Sequence, residues 1–282
     1  MTIRQTLNEA KKQLIDAGIL NPNIDATCLF EKHTGIKHIN LRMLYENTAP
    51  ADLNGFWDDI NRRCDGEPLQ YILGEWEFYG LNFKVSKGVL IPRADTEVLV
   101  EISLDYLKKQ ATSKVLELCI GSGCISVAIA VNNKSCKVWG VDISSIALEY
   151  SQLNINMHGV NNQVFASKGN MLTGVSENEL PESFDLIVCN PPYISTKEVD
   201  MLDDSVKKYE PLIALDGGSD GLDFYKAISK WLPFLKRSGM LAFEVGFNQA
   251  EQVAKILIDN GLNDIFIKKD YAGINRVVAG FK

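Results

Sequence analysis

The sequence predicts an α/β protein: a doubly wound, mostly parallel seven-stranded sheet with an antiparallel last strand, preceded by a small helical bundle and a linking β-hairpin. Three observations carry this. Apolar strand-like runs alternate with helical stretches beyond Thr96, which is the rhythm of a parallel sheet with crossover helices. The final two runs, Asp264 to Lys268 and Arg276 to Phe281, are joined only by residues 269–275, too few for a crossover helix, so the last strand must turn back. Upstream of Cys64 the apolar residues recur every three or four positions instead.

In chain order, Leu7, Ala10, Leu14 and then Ala26, Leu29, Phe30 mark short helices, broken at Asn21-Pro22-Asn23 and from Asn47 to Pro50. From Leu69 to Val89 the chain becomes aromatic and extended, with Gly74 and Gly80 as turn points. Strands follow at Val115 to Leu118, Lys137 to Val141, Gln163 to Ala166, Phe184 to Cys189 and Gly239 to Val245. Helices are placed from Cys124, from Ser145, from Leu222 to Leu235 and from Gln249. The expected division is a helical domain over 1–68, a hairpin linker over 69–95 and the α/β domain over 96–282.

The 282 residues suffice for one large and one small domain. Hydrophobic residues at 46% and charged residues at 23% describe an ordinary globular chain with material for a core. No run is long enough to span a membrane, and the first residues lack the basic and then apolar order of a secretory signal, so a cytoplasmic monomer is expected. The six cysteines form no CxxC pair and, with three histidines, offer little support for a metal site. A net charge of −7 argues against a large phosphate-tracking surface, so no direct nucleic-acid partner is expected.

Two segments carry chemistry. Glu117-Leu118-Cys119-Ile120-Gly121-Ser122-Gly123-Cys124 ends the first α/β strand in a glycine turn that lets backbone approach a ligand closely. Asp142 ends the next strand and supplies a carboxylate suited to ribose hydroxyls. This pairing fits both NAD and S-adenosylmethionine. Glu117 beneath the loop decides for the second, because a carboxylate repels a pyrophosphate but suits an ammonium, directly or through water. Its other reading is a strand-end cap of the next turn. Asn170-Met171 falls where an adenine base would sit, or forms an exposed turn. Behind the buried run Phe184 to Cys189 comes Asn190-Pro191-Pro192-Tyr193, where the Asn190 side-chain carbonyl and the Pro191 carbonyl can accept the two hydrogens of a planar NH2 group. Pro192 stiffens the loop. Tyr193 either flanks the planar group or packs as a rim aromatic.

In that order and spacing the chain resembles class I S-adenosylmethionine-dependent methyltransferases with a Rossmann-like fold. The stretches Gly66 to Gly74, Phe78-Tyr79-Gly80, Leu90-Ile91-Pro92-Arg93-Ala94-Asp95-Thr96-Glu97, Tyr209-Glu210-Pro211, Ala214 to Leu222, Glu244-Val245-Gly246 with Gln249, and Asp270, Gly273 and Arg276-Val277-Val278 look like the HemK/PrmC family of release factor glutamine N5-methyltransferases. Cys119-Ile120 in place of the usual glycine and threonine, and Ala94 where a second proline is common, are departures. The resemblance implies methyl transfer to the glutamine side chain of the Gly-Gly-Gln loop of class I peptide chain release factors, leaving S-adenosyl-L-homocysteine. It further implies Glu117, Cys119, Ile120, Gly121, Ser122, Gly123, Asp142, Asn170, Met171 and Asn190 as cofactor contacts. Arg93 joins them at the methionine end or simply pairs with Glu97. The N-terminal bundle either recognises the release factor or stabilises the fold. Rival readings are an adenine N6-methyltransferase acting on DNA or RNA, which uses the same NPPY geometry, and a binding module without turnover.

Overall fold

A computed structural model describes residues 1–174 and 180–282. The chain divides into two compact units, Met1–Glu75 with Asp203–Tyr209, and Trp76–Leu202 with Glu210–Lys282.

The first unit holds α1 (Ile3–Asp16), α2 (Pro22–Thr34), α3 (His38–Leu44), α4 (Asn54–Cys64) and α5 (Leu69–Leu73). Thr2 and Gln5 form a reciprocal capping box at the start of α1, and Pro22 opens α2, where its missing N–H costs nothing. One face of α1 buries Ile3, Thr6, Ala10 and Leu14. The Phe30 and Phe56 rings meet edge to face at 5.6 Å between α2 and α4. Buried Asp59 receives Lys32 at 2.6 Å, His33 at 2.8 Å and Arg62 at 2.7 Å, pinning the same two helices.

In the second unit the strands β1 (Glu75–Phe78) and β2 (Leu81–Lys84) turn through Tyr79 and Gly80, both at positive φ as a tight two-residue hairpin requires. The stretch expected to be extended from Leu69 therefore begins with helix α5, and its strands are shorter than expected. Then come α6 (Glu97–Leu107), β3 (Ser113–Leu118), α7 (Cys124–Asn132), β4 (Cys136–Asp142), α8 (Ser145–Met157), β5 (Val164–Lys168) and β6 (Phe184–Cys189). Short α9 (Thr196–Val199), α10 (Asp204–Tyr209, which groups with the first unit) and α11 (Asp223–Lys226) precede β7 (Leu235–Glu244), α12 (Ala250–Asp259), β8 (Asn263–Lys269) and β9 (Asn275–Phe281). The expected helix from Leu222 to Leu235 is corrected to one turn of α-helix and two 3-10 turns. Pro233, without an N–H to donate, cannot continue a helix there.

The sheet order is β5-β4-β3-β6-β7-β9-β8, with β9 antiparallel to both neighbours and the other pairs parallel. Chain direction across the sheet reverses between β3 and β6, and there the carboxyl ends of the parallel strands leave a crevice. Alternation of side chains places Val115, Leu186, Val188 and Ala242 in one apolar layer, and Leu116, Leu118, Ile187, Leu241 and Phe243 in the other. Trp231 anchors the second layer, fully buried, with its indole N–H donating to the Met171 carbonyl at 2.8 Å.

Candidate active site

The crevice contains a cavity of about 190 Å³, lined in part by Cys119, Gly121, Asp142, Asn170, Met171, Asn190 and Pro192. These residues come from the ends of β3, β4, β5 and β6, so sheet pairing alone brings them together. Leu118 is in register with both Val141 and Cys189.

The glycine turn is built for close approach. Gly121 and Gly123 have φ of 56° and 79°, and Cys119 also sits in the left-handed region at 59°. That conformation is why a glycine is at home at position 119 and why the cysteine there carries strain. Asp142 fastens the turn: Oδ2 accepts from the Gly121 N–H at 2.9 Å, and Oδ1 accepts from the Ser144 N–H at 2.9 Å. Burial raises its pKa, and those backbone N–H groups work against the rise. Carboxylate oxygens have further lone pairs, so Asp142 can still accept from a diol in the cavity.

Glu117 lies under the turn and does not line the cavity. Its Oε2 accepts from the backbone N–H of Ser126 at 2.9 Å and from the Ser126 hydroxyl, the arrangement of a cap on the first turn of α7. Complete burial pushes its pKa up to about 8, with the Ser126 bonds opposing the rise and the charge of Asp142 adding to it. Ile120 and Ser122 are buried behind the turn, with the Ser122 carbonyl accepting from Asn154 at 2.9 Å. Asn170 forms an Asx turn with the Leu172 N–H at 2.8 Å, which places it and Met171 on the cavity wall.

Arg93 is not among the residues lining the cavity. Its guanidinium pairs with the buried carboxylate of Glu210, and Glu97 instead accepts the Tyr79 N–H at 2.8 Å, so the alternative reading, an Arg93–Glu97 pair, does not form. Two other stretches of wall had no expected role: Gly88, Val89 and Leu90 before Arg93, and Pro211, Ile213 and Ala214 after Glu210. Leu90, Pro211 and Ala214 lie in the stretches that carried the resemblance, which was the available signal, and Gly88, Val89 and Ile213 border them. Exposed Ile143 and half-buried Phe224 add to the apolar lining.

The loop after β6 is held from several sides. Asn190 donates from Nδ2 to the Thr96 hydroxyl at 3.2 Å. Gln249 donates to the carbonyls of Tyr193 at 2.8 Å and Gly221 at 3.2 Å, and accepts from the Gly246 N–H at 3.0 Å. Ile194 and Gly217 exchange backbone contacts with residues 215 and 194 at 2.9 and 2.8 Å. A Cβ on Gly217 would stand 2.8 Å from the Pro192 carbonyl oxygen, so only glycine lets the two loops approach. The Tyr193 hydroxyl reaches Glu244 Oε1 at 3.4 Å. Glu244 is buried at the end of β7 and its Oε2 has no well-formed hydrogen bond. Burial pushes its pKa up to about 7, against the Thr96 and Tyr193 hydroxyls and the charge of Arg276.

Residues 5–74 match the PrmC N-terminal domain, and residues 94–208 match the methyltransferase small domain. A release factor glutamine methyltransferase of Fusobacterium nucleatum is 41% identical over 278 residues, covering 98% of this chain and 77% of that protein. One from Geobacter sulfurreducens is 40% identical over 281 residues, covering 99% and 96%. The chain belongs to the release factor glutamine methyltransferase family. A methyltransferase of Pyrococcus furiosus, 19% identical, shares the fold with a TM-score of 0.52 over 73% of this chain and 90% of that one. For a release factor glutamine methyltransferase, the cavity residues fit a nucleoside bearing a cationic tail: a carboxylate for the diol, apolar walls for the base and a turn without bulk. No group of three or more His, Cys, Asp or Glu residues placed to hold a metal occurs among the described residues.

Proposed function

We propose that this chain transfers the methyl group of S-adenosyl-L-methionine to the side-chain amide N5 of the glutamine in the Gly-Gly-Gln loop of class I peptide chain release factors, leaving S-adenosyl-L-homocysteine and modulating translation termination. The observation that carries this reading is the orientation of Asn190. It shares a cavity with Asp142, and because its Nδ2 is engaged by Thr96, its Oδ1 is the atom left to accept from a guest amide.

The bound cofactor supplies an electrophilic methyl group on a sulfonium. The chain's own residues supply position. Asp142 takes the ribose hydroxyls, the turn from Cys119 to Gly123 lets the methionine portion lie against backbone, and Asn170 and Met171 flank the base. Glu117 keeps its proton up to about pH 8 in the folded chain, and an ammonium bound above the turn would favour its ionised form. Arg93 pairs with Glu210, whose Oε2 also accepts from the Ile91 N–H at 3.4 Å, and so helps to steady the stretch that supplies Leu90 to the cavity wall. Asn190 Oδ1 and the Pro191 carbonyl each accept one hydrogen of the glutamine NH2, with Pro192 limiting loop motion and Tyr193 flanking the plane. An amide nitrogen is a weak nucleophile, since its lone pair is delocalised into the carbonyl. Orientation is therefore the main contribution, and it can be worth roughly 7 to 11 kcal/mol when reactants are held in near-attack geometry.

Residues 1–68 are assigned to release-factor recognition, 69–95 to the link and 96–282 to catalysis, in a cytoplasmic monomer. No helix among the described residues is long and apolar enough to cross a membrane. Incubation with methyl-labelled S-adenosylmethionine tests the reading. Label is expected on a class I release factor and not on duplex DNA, and Asn190→Ala is expected to cut the rate at least a hundredfold. Label on DNA alone would replace the substrate with adenine.

A further inference from the structure

Three sulfur atoms meet in the wall of the cavity. The Cys119 thiol donates to the Met171 thioether, with Sγ and Sδ 3.8 Å apart, and the Cys189 thiol donates to the same Sδ at 3.6 Å. Cys119 is half-buried and lines the cavity beside Met171, whereas Cys189 is fully buried and does not line it. Each sulfur stands on a fixed element. Cys189 ends β6, paired with Leu118 on one side and Phe243 on the other, and Cys119 is the residue after Leu118. Met171 is held through its carbonyl, which accepts the Trp231 indole N–H at 2.8 Å. The proposed chemistry uses the backbone at Cys119 and the apolar bulk of Met171, and gives the three sulfurs no task.

We propose that Cys119, Met171 and Cys189 form a three-coordinate site for copper(I) that opens into the cavity. The inference goes beyond the proposed function, since it concerns what the wall itself can bind.

The donor set selects the ion. Thiolate and thioether sulfurs are soft ligands and favour copper(I), whereas calcium and magnesium require oxygen. Structural zinc takes four ligands, and among the described residues no third His, Cys, Asp or Glu joins the two cysteines to hold a metal. The spacing agrees with the choice. Three sulfurs bound in a trigonal plane at about 2.3 Å, the usual metal–thiolate length, stand about 4 Å apart, and the two separations here are 3.6 and 3.8 Å. Both thiols already aim their hydrogens at one thioether, so exchanging those two hydrogens for one ion asks little movement of the sulfurs. In that exchange each S–H bond breaks, each sulfur keeps its electron pair and forms a bond to copper, and two protons pass to solvent. Met171 contributes a lone pair and loses nothing. Copper stays in the +1 state, so no oxidant or reductant takes part.

Two features separate the cluster from ordinary packing of thiols. A core thiol can give its hydrogen to a carbonyl, as Cys136 does to that of Asn133 at 3.2 Å, but these two give theirs to a thioether, a weak acceptor. Cys119 also holds its side chain at a φ of 59°, where a Cβ is penalised and glycine is not. Because Cys119 and Met171 line the cavity, an ion has a path to the cluster from solvent.

The test uses the full chain, free of cofactor, under anaerobic reducing conditions, with copper(I) supplied from a bicinchoninate buffer that reports its free concentration. Wild type is expected to take a single equivalent with release of protons, read by calorimetry in buffers of different ionisation enthalpy. Cys119→Ser and Cys189→Ala are expected to weaken binding by more than the roughly 10- to 100-fold that loss of an outer partner costs a metal site, and Met171→Leu, which keeps the volume, by about tenfold. A Cys28→Ser, Cys64→Ser double variant is expected to bind as wild type does. S-adenosyl-L-homocysteine at about 100 times its Kd is expected to weaken copper binding by about a hundredfold, as mass action requires of ligands that exclude each other. Thermal melts establish that each variant is folded; if Cys189→Ala is not, Cys119→Ser and Met171→Leu decide. Binding that survives in Cys119→Ser and Met171→Leu, or that is lost in the Cys28→Ser, Cys64→Ser variant, overturns the inference. So does S-adenosyl-L-homocysteine that binds without changing copper affinity, which would put the ion outside this cavity. Copper held by these sulfurs in a chain that leaves the release factor glutamine unmodified would overturn the proposed substrate and leave this inference standing.

Discussion

Replacing Gln249 with alanine should separate loop position from cofactor binding. Its carboxamide joins three segments: Nε2 donates to the carbonyls of Tyr193 and Gly221 at 2.8 and 3.2 Å, and Oε1 accepts from the Gly246 N–H at 3.0 Å. Alanine leaves two carbonyls and one N–H without these partners. An unsatisfied buried group costs about 1 to 3 kcal/mol, but the site is only partly buried and water will reach some of it, so a total loss of roughly 2 to 4 kcal/mol is expected. The catalytic effect should be larger than the stability effect implies. Tyr193 is the last residue of NPPY, and a displacement of about 1 Å in a positioning element can cost on the order of a hundredfold in rate. The Asp142 wall is untouched, so cofactor affinity should stay within about threefold. Urea denaturation gives the stability term, calorimetry the affinity and single-turnover methyl transfer the rate. A variant with wild-type turnover, or one whose cofactor affinity falls as far as its rate, would show that the Gln249 clamp does not aim the loop.

Glu117 makes stability depend on pH. Its folded pKa of about 8 lies above the ordinary carboxylate value, so between pH 4.5 and 8 the folded chain holds a proton that the unfolded chain has released, and stability falls as pH rises through that window. Denaturation at both ends of the window should show wild type losing on the order of 2 to 4 kcal/mol relative to Glu117→Gln; parallel curves would show that the burial does not act this way. Cys119→Gly relieves a left-handed cysteine, worth about 1 to 2 kcal/mol, but frees the unfolded backbone and loses the sulfur contact with Met171 at 3.8 Å. Its melting temperature should therefore move little, and a large loss would mean that the Cys119 side chain, not the turn, supports the wall. Gly217→Ala, which forces a methyl against the Pro192 carbonyl at 2.8 Å, should destabilise by about 1 to 3 kcal/mol and slow methyl transfer. Unchanged stability and rate would show that the two loops yield freely.

Much of the architecture could be read because buried parallel strands announce themselves as short apolar runs, and Phe184 to Cys189 is one of the clearest. Asp142 and Asn190 were found for the same reason: each ends such a run, and the ends of parallel strands meet at one edge. What escaped lacks a local pattern. Thr96 and Gln249 stood in the stretches that carried the resemblance but without a role, because each is a single polar residue whose partner lies 94 or 56 positions away and no periodicity shows what it holds. Arg93 had a plausible partner four residues on in Glu97, yet it is held by Glu210, 117 positions away. The helix expected from Leu222 to Leu235 ends as an α-helix at Lys226 and gives way to 3-10 turns, the second of which holds Pro233, a breaker visible in the sequence and outweighed there by apolar spacing. Glu117 kept two readings because a strand-end carboxylate serves equally as a cap or as a cation partner; its bonds to Ser126 establish the first role, while the second depends on its charge when the cofactor is bound.

Tandem mass spectrometry of the release-factor peptide spanning Gly-Gly-Gln, after incubation with S-adenosylmethionine and either wild type or Asn190→Ala, tests the central claim most directly. The account predicts one methyl group on the glutamine side-chain nitrogen with wild type and almost none with the variant at equal cofactor occupancy. An unmodified glutamine with wild type, or equal modification by both proteins, would contradict it.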